Sequence, residues 1–221
     1  MDQPRGQAEG DVERGVPPVI GLTGGVGAGK STTLQAFANL GAATLSADAV
    51  VHDLLADPEI VVQVVARFGS DVERDGEVDR DRLAKIVFAD DAGREWLEGT
   101  IWPLVGLRMF EWRSENLAAD PAPCALVIEI PLLFESGLEV GFDATVCVAV
   151  DEKLRRDRAD SRGQVAVSER EARQLSPAEK AARADYVITN DGTLADLQAK
   201  VAALLGTIVV NGDDRKDSHQ T

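Results

Sequence analysis

The chain has 221 residues, enough to bury a core, and its 44% hydrophobic and 28% charged residues are ordinary proportions for a globular protein. Its formal net charge of −15 argues against nucleic acid as the main partner, because such proteins need Lys and Arg to displace counterions from phosphates. No stretch approaches the roughly 20 apolar residues that span a bilayer, so we predict a cytoplasmic protein that binds neither nucleic acid nor membrane.

Residues 1–17 are polar and acidic and lack the basic start and apolar middle of a signal peptide, so we expect a disordered leader. The chain then contains five short apolar runs that are rich in β-branched residues and predict strands: Val19–Leu22, Ala43–Ala47, Ala125–Pro131, Thr145–Val150 and Tyr186–Thr189. These runs are continuous rather than alternating, which is typical of a parallel sheet covered on both faces. The predicted fold class is α/β, with a five-stranded parallel sheet flanked by helices in one domain over residues 18–207.

The stretch of residues 50–118 contains no convincing strand, and its apolar residues recur at helical spacing, as in Leu83, Ile86 and Val87. It predicts a helical insertion between the second and third strands, which either supplies a substrate pocket or only packs over the sheet. A later helix start is indicated by Ser176-Pro177-Ala178-Glu179, with Ser as N-cap and Glu at the third helical position. We assign residues 208–221 to a polar tail.

A phosphate-binding motif follows the first strand run. Gly24-Gly25-Val26-Gly27-Ala28-Gly29-Lys30-Ser31 satisfies G-x-x-x-x-G-K-[ST] and opens a helical run. The glycines let successive backbone N–H groups point at phosphate oxygens, and the positive helix end favours the same charge. Lys30 would contact the β and γ phosphates of a nucleotide, and the Ser31 hydroxyl would ligate Mg²⁺. The predicted nucleotide contacts are Gly25, Val26, Gly27, Ala28, Gly29, Lys30, Ser31 and Thr32.

The motif alone does not name a reaction, since kinases, GTPases and ATP-driven machines all use it. The guanine-reading string N-K-x-D of GTPases does not occur in the sequence. Asp90-Asp91-Ala92-Gly93 matches their D-x-x-G pattern, but it follows no strand run and is expected to begin a helix. These observations disfavour a GTPase switch.

Two carboxylates end predicted strands, where a parallel sheet forms its ligand crevice. Asp48 follows the second run, so it would face the γ phosphate beside Lys30 and could accept or orient the proton of an acceptor hydroxyl. Alternatively, Asp48 caps the helix that starts near Ala49. Glu129, at the end of the third run, could hold Mg²⁺ directly or through water, or it could be an ordinary strand-end carboxylate.

The densest basic segment contains Arg155, Arg156, Arg158 and Arg162. The spacing of Arg155, Arg158 and Arg162 places three guanidinium groups on one helical face. Such a stripe predicts a phosphate clamp that could neutralise charge in a transition state. The alternative is a set of surface ion pairs with neighbouring carboxylates.

Four strings occur in order along the chain: Gly21 to Thr32, Ala47-Asp48, Pro131 to Gly137 and Ala184 to Asn190. Together they closely resemble the dephospho-coenzyme A kinase family, over about Val19 to Leu205. The resemblance implies a P-loop kinase fold, with a coenzyme A-binding insertion at about residues 50–118 and a lid at about residues 155–176. It also implies that the γ-phosphoryl of ATP is transferred to the ribose 3′-hydroxyl of dephospho-coenzyme A, with Mg²⁺, in the last step of coenzyme A synthesis.

By position, the resemblance implies that Lys30 and the loop bind ATP and that Asp48 is the catalytic carboxylate. Asn190 and Gly192 fall where the family forms part of its adenine pocket. The implied partner is dephospho-coenzyme A. The chain is expected to be a monomer or a small homo-oligomer.

The implied lid carries Arg158 and Arg162 as the best matches to the family's lid arginines. Arg170 and Gln174 match its R-x-x-x-Q pattern, although the segment between Arg162 and Arg170 is about two residues short of the family's pattern.

Two other positions also depart from the family. Ser46 stands where a second aspartate is usual, so Asp48 would act without that neighbour, and Trp102 replaces a usual histidine before Pro103.

Two further interpretations of the function stay open. One is a nucleoside or nucleotide kinase with a smaller acceptor, which the size of the acceptor pocket would distinguish. The other is a nucleotide-binding protein that does not turn over, which binding without turnover would identify.

Overall fold

Helices and strands alternate along the chain in the computed structural model, which describes residues 15–150 and 174–217. The strands are β1 (Val19–Gly24), β2 (Ala43–Ser46), β3 (Glu73–Arg74), β4 (Glu77–Val78), β5 (Leu126–Glu129), β6 (Ala144–Ala149) and β7 (Tyr186–Thr189). The helices are α1 (Lys30–Ala38), α2 (Ala47–Ala56), α3 (Pro58–Phe68), α4 (Arg80–Ala89), α5 (Asp91–Leu117), α6 (Pro177–Arg183) and α7 (Leu194–Asp217). None of these helices is long and apolar enough to cross a lipid bilayer.

Five strands form one parallel sheet in the order β2-β5-β1-β6-β7, so the predicted fold class and all five predicted strands are confirmed. β1 lies in the centre, and all six of its residues are buried. The edge strands β2 and β7 are only partly buried. Because the strands are parallel, the carboxyl ends of β1, β5 and β2 meet at one edge of the sheet, where the phosphate loop begins.

Helices cover both faces of the sheet. On one face, α1 and α7 pack against the strands through residues such as Phe37, Val201 and Leu205. On the other face, the second half of α5 and the segment after β5 contribute Met109, Trp112, Leu133 and others. This double coverage explains why the strand sequences are continuously apolar rather than alternating.

The predicted helical insertion comprises α2 to α5 and has a hydrophobic cluster of its own, which includes Val64, Val72 and Ile101. It also contains a short antiparallel hairpin of β3 and β4, which the sequence analysis did not predict. The hairpin turns at Asp75 and Gly76, which both have positive φ angles of 55° and 87°. Asp-Gly is a strong turn signal, but the two-residue strands are too short to show alternation.

Two helix boundaries bear on the predictions. Ser176 caps α6 with a complete capping box to Glu179, as predicted. The last helix, α7, continues to Asp217, so the predicted start of the tail at residue 208 falls inside this helix. Ile208 is 4% exposed and belongs to the core, which is why the helix continues beyond this position.

Phe37 provides a test of the packing between α1 and the sheet, since its side chain is fully buried. We expect Phe37→Ala to lower the free energy of unfolding by about 3–5 kcal/mol, because it leaves a cavity in the core. The control is Phe88→Ala, at a side chain that is 54% exposed, where the loss should stay near 0.5 kcal/mol. Chemical denaturation measures both, and similar losses for the two variants would contradict this packing.

Candidate active site

The phosphate loop connects β1 to α1 and leaves the start of the helix open. Gly29 is the N-cap of α1, with a φ of 95°, and no side chain caps this end of the helix in the described residues. A Cβ at Gly29 would lie 2.2 Å from Nδ2 of Asn190, so both the backbone angle and the space require glycine. The first N–H groups of α1 therefore remain available to an anion.

Lys30 bends back into this loop. Its Nζ donates a hydrogen bond to the carbonyl oxygen of Gly25 at 3.3 Å and lies 3.9 Å from Oε1 of Glu129. Burial lowers the pKa of the Lys30 ammonium, while the carboxylates of Glu129 and then Asp48 oppose this shift. The ammonium is thus held inside the loop at the place where phosphates would enter.

Glu129 is oriented by two neighbours. It ends β5, is 5% exposed, and lies opposite Ser46 in the register of β2 and β5. The hydroxyl of Ser46 donates a hydrogen bond of 2.7 Å to Oε2 of Glu129, while Oε1 faces Lys30. The structure thus brings Glu129 to the predicted site, and Ser46 acts as a hydrogen-bond donor at the position where the family usually has a carboxylate.

Asp48 lies in the first turn of α2, where Ser46 occupies the N-cap position. Asp48 therefore does not cap the helix, and that alternative is wrong. Its carboxylate is exposed, and it has no hydrogen bond or ion pair with any residue that the structure describes. Its charge nevertheless raises the pKa of Lys30, which means that the two groups are within electrostatic reach.

Asn190 connects β7 to the phosphate loop. Its side-chain Nδ2 donates a hydrogen bond of 2.8 Å to the carbonyl oxygen of Ala28, and its backbone N–H donates to Ala149 at 2.7 Å. Gly192 follows in the same turn, where an added Cβ would lie 2.7 Å from Oδ2 of Asp196. Of the two predicted adenine-pocket residues, Asn190 thus contacts the loop that is predicted to bind the phosphates.

Comparison with known proteins gives the family. Residues 18–196 match the family described as dephospho-CoA kinase. The dephospho-CoA kinase of Symbiobacterium thermophilum is 39% identical over 190 residues, which cover 84% of this chain and 79% of that protein. The dephospho-CoA kinase of Bradyrhizobium diazoefficiens is 36% identical over 194 residues, covering 86% and 96%. This chain belongs to the dephospho-CoA kinase family.

Solved structures agree with this assignment. TT1252 from Thermus thermophilus matches this chain with a TM-score of 0.73 and 33% identity. The match covers 86% of this chain and 97% of TT1252. The dephospho-CoA kinase from Campylobacter jejuni has a TM-score of 0.64 at 24% identity, with coverage of 88% and 98%, which supports the fold. The resemblance that the sequence motifs indicated is therefore confirmed, and the chain is an ATP-dependent kinase.

The residues present fit a magnesium ion at the phosphates. The described residues contain no group of three or more His, Cys, Asp or Glu side chains that could hold a metal by themselves. Mg²⁺ in kinases is held by one or two protein oxygens together with substrate phosphates and water. Ser31, exposed in the first turn of α1, and Glu129, beside Lys30, offer such a donor set.

Most of the predicted lid, residues 155–176, lies outside the described residues. Arg158 and Arg162 lie outside the described residues, as do Arg155, Arg156 and Arg170. Trp102, the other departure from the family pattern, lies in α5 with half of its side chain exposed.

The sequence analysis missed a buried lysine beside the kinase site. Lys180, in α6, is completely buried, donates a hydrogen bond to the carbonyl oxygen of Pro131, and lies 3.1 Å from Oε1 of Glu135. Glu135 also accepts a hydrogen bond of 2.8 Å from the backbone N–H of Leu175. The hydroxyl of Thr23 in β1 donates to the same carbonyl of Pro131 at 3.3 Å. This network fixes the chain that follows β5 beside β1.

Part of this network had a signal in the sequence. Glu135 lies in the distinctive Pro131 to Gly137 string, whereas Lys180 follows a capping box on a short helix and looks like an ordinary surface lysine. Only the fold brings Lys180 to Pro131, so its burial could not be read from local spacing.

The pKa shift of Lys30 predicts a pH dependence. Since burial lowers this pKa, the ammonium loses its proton at a lower pH than usual, and kcat/KM for ATP should fall on the alkaline side. Glu129→Gln removes the carboxylate that raises this pKa most, so the alkaline limb should move to lower pH.

The measurement is the pH profile of kcat/KM for ATP in the wild type and in Glu129→Gln. Glu98→Gln, at a part-exposed position on α5, is the control that removes a carboxylate elsewhere. An alkaline limb that stays in place in Glu129→Gln, or that moves equally in the control, would contradict the proposed pairing.

Proposed function

We propose that this kinase transfers the γ-phosphoryl group of ATP to the ribose 3′-hydroxyl of dephospho-CoA and so completes the synthesis of coenzyme A. The observation that carries the proposal is the exposed carboxylate of Asp48, which has no hydrogen bond or ion pair with any described residue and lies within electrostatic reach of Lys30. A carboxylate in this position can receive a proton from an alcohol beside the phosphates. Membership of the family supplies the identity of that alcohol.

The loop and α1 would bind the triphosphate. Gly25 to Gly29 supply backbone N–H groups, and the open N-terminus of α1 adds the positive end of the helix. The ammonium of Lys30 would leave the carbonyl oxygen of Gly25 and pair with the β and γ phosphates. Thr32, exposed in the first turn of α1, is proposed as a further contact. Asn190 and Gly192 are proposed to lie against the adenine.

Asp48 would act on the acceptor. Its carboxylate accepts the proton of the 3′-hydroxyl as the hydroxyl oxygen attacks the γ-phosphorus. The new oxygen–phosphorus bond forms while the bond from the γ-phosphorus to the bridging oxygen breaks, and ADP carries away that oxygen. Asp48 then releases the proton to water, to which its exposed carboxylate has access.

Ser31 and Glu129 would hold Mg²⁺, Ser31 through its hydroxyl and Glu129 directly or through water. When bound, the ion neutralises phosphate charge and orients the γ-phosphoryl group for in-line transfer. Arg158 and Arg162 are proposed to stabilise the transferred group from the lid. The cytoplasmic location and the monomeric or small oligomeric state remain predictions.

The function is tested by ADP release from ATP and Mg²⁺ in the presence of dephospho-CoA, adenosine, AMP or pantetheine. We expect efficient turnover with dephospho-CoA. Asp48→Asn should lower kcat by about 100-fold or more, because it removes the proton acceptor, while ATP binding is retained. Asp53→Asn is the matched control, since Asp53 is also an exposed aspartate of α2 but lies on another flank of the helix.

The outcomes separate the alternatives. Equal turnover with AMP would favour a kinase with a smaller acceptor. ATP binding without stimulation by any acceptor would favour a protein that binds nucleotide without turnover. Equal activities of Asp48→Asn and Asp53→Asn would remove Asp48 as the proton acceptor.

A further inference from the structure

Arg80 and His52 form a cationic pair in the helical insertion. Arg80 is the first residue of α4, and its Nη1 lies 3.3 Å from Nδ1 of His52 in α2. Both side chains are exposed. A guanidinium only donates hydrogen bonds, so Nδ1 of His52 accepts in this contact and leaves Nε2–H directed elsewhere. The pair thus presents several N–H donors to solvent.

This pair lies on the same face of α2 as the proposed catalytic carboxylate. Asp48 and His52 are four residues apart, so their side chains are neighbours on one face, separated by a rise of about 6 Å along the helix axis. The acceptor hydroxyl must reach Asp48. A group attached to the acceptor close to that hydroxyl can therefore reach His52 and Arg80.

A different flank of α2 lines a cavity of about 410 Å³ between α2 and α5. Val50 and Asp53 of α2 and Asp57, which caps its C-terminus, contribute to it at spacings that place them away from Asp48 and His52. The charged residues that line this cavity are four carboxylates and one arginine, so the lining carries a net negative charge: Asp53, Asp57, Arg108, Glu111 and Glu115. It is therefore not the place for an anionic acceptor, and the Arg80 side of α2 is the better candidate.

The charge environment of Arg80 differs from that of five of the other six arginines in the insertion. Arg67, Arg74, Arg82, Arg94 and Arg108 each lie within 4.0 Å of a carboxylate, and Arg113 donates to the carbonyl oxygen of Gly141. Among residues 15–150 and 174–210, no carboxylate lies within that distance of Arg80. The neighbouring Asp79 is engaged with the backbone N–H and side chain of Arg82.

In a chain with 38 acidic and 23 basic residues, an arginine that faces a histidine instead of a carboxylate is available for an external anion. Arginine binds phosphate oxygens with two parallel hydrogen bonds, and a neighbouring imidazole N–H can bind a second phosphate. The geometry of the pair thus suits a diphosphate better than a single carboxylate.

We propose that Arg80, assisted by His52, binds the diphosphate of the acceptor and so selects acceptors that carry one. This inference rests on the proposed function. In dephospho-CoA the diphosphate is attached to the 5′ carbon of the same ribose whose 3′-hydroxyl reacts, so a short chain of bonds separates the two. Arg80 would hold the diphosphate while Asp48 receives the proton. The distance between the start of α4, at Arg80, and the first turn of α2, at Asp48, would then set the position of the ribose.

Arg80→Ala tests the proposal against the matched control Arg74→Ala, which removes the same charge from an exposed arginine of the hairpin. In Arg80→Ala we expect KM for dephospho-CoA to rise about tenfold to a hundredfold, the loss typical of a hydrogen bond to a charged group. KM for ATP and kcat at saturating dephospho-CoA should change little. Arg80→Lys should recover part of the loss, since it keeps the charge without the paired donors.

Adenosine, used as a second ligand, distinguishes loss of diphosphate binding from general damage to the acceptor site. Adenosine has the 3′-hydroxyl but no diphosphate, and its inhibition constant against dephospho-CoA should be the same in the wild type and in Arg80→Ala. The proposal would be overturned if Arg80→Ala and Arg74→Ala raised KM for dephospho-CoA equally. It would also be overturned if Arg80→Ala weakened inhibition by adenosine, or raised KM for ATP, as much as it raised KM for dephospho-CoA.

Measurements on the wild type distinguish failure of this inference from failure of the proposed function. If the wild type shows no turnover with dephospho-CoA, the proposed function fails, and calorimetric titration of dephospho-CoA still compares binding to the wild type and to Arg80→Ala. Weaker binding only in Arg80→Ala would support the diphosphate site, and unchanged binding would overturn it.

Discussion

The burial of β1 between two parallel neighbours sets the position of every group at the nucleotide site. β1 is completely buried and hydrogen-bonded in a defined register to β5 and β6, so its carboxyl end is fixed relative to both strands. The phosphate loop leaves from this end, and Glu129 ends the adjacent strand. The packing of the hydrophobic core therefore helps to set the distance between Lys30 and Glu129.

Strand register also decides what surrounds Glu129. A carboxylate at position 46 would lie opposite Glu129 in the register of β2 and β5, and two such charges at the end of a partly buried sheet repel each other. Ser46 replaces this repulsion with a hydrogen bond. Glu129 is thus held in place by its neighbours, whereas the exposed carboxylate of Asp48 has no hydrogen bond or ion pair with any described residue.

The sheet and the phosphate loop could be predicted because local patterns determine them. Continuous apolar runs mark buried parallel strands, and the spacing of glycines before Lys30 and Ser31 marks the loop. The pair of Lys180 and Glu135 could not be predicted, because a lysine is recognised as buried only when its distant partner is known. The hairpin at Asp75-Gly76 had a turn signal but strands too short to confirm it.

The contact between Asn190 and the phosphate loop limits how these positions can vary. The amide occupies the space that any side chain at position 29 would need, and it satisfies the buried carbonyl of Ala28. Loss of the amide would leave that carbonyl without this donor, and a larger residue at position 29 would displace the amide. A substitution at position 29 therefore requires a compensating change at position 190, although 160 residues of sequence separate the two positions.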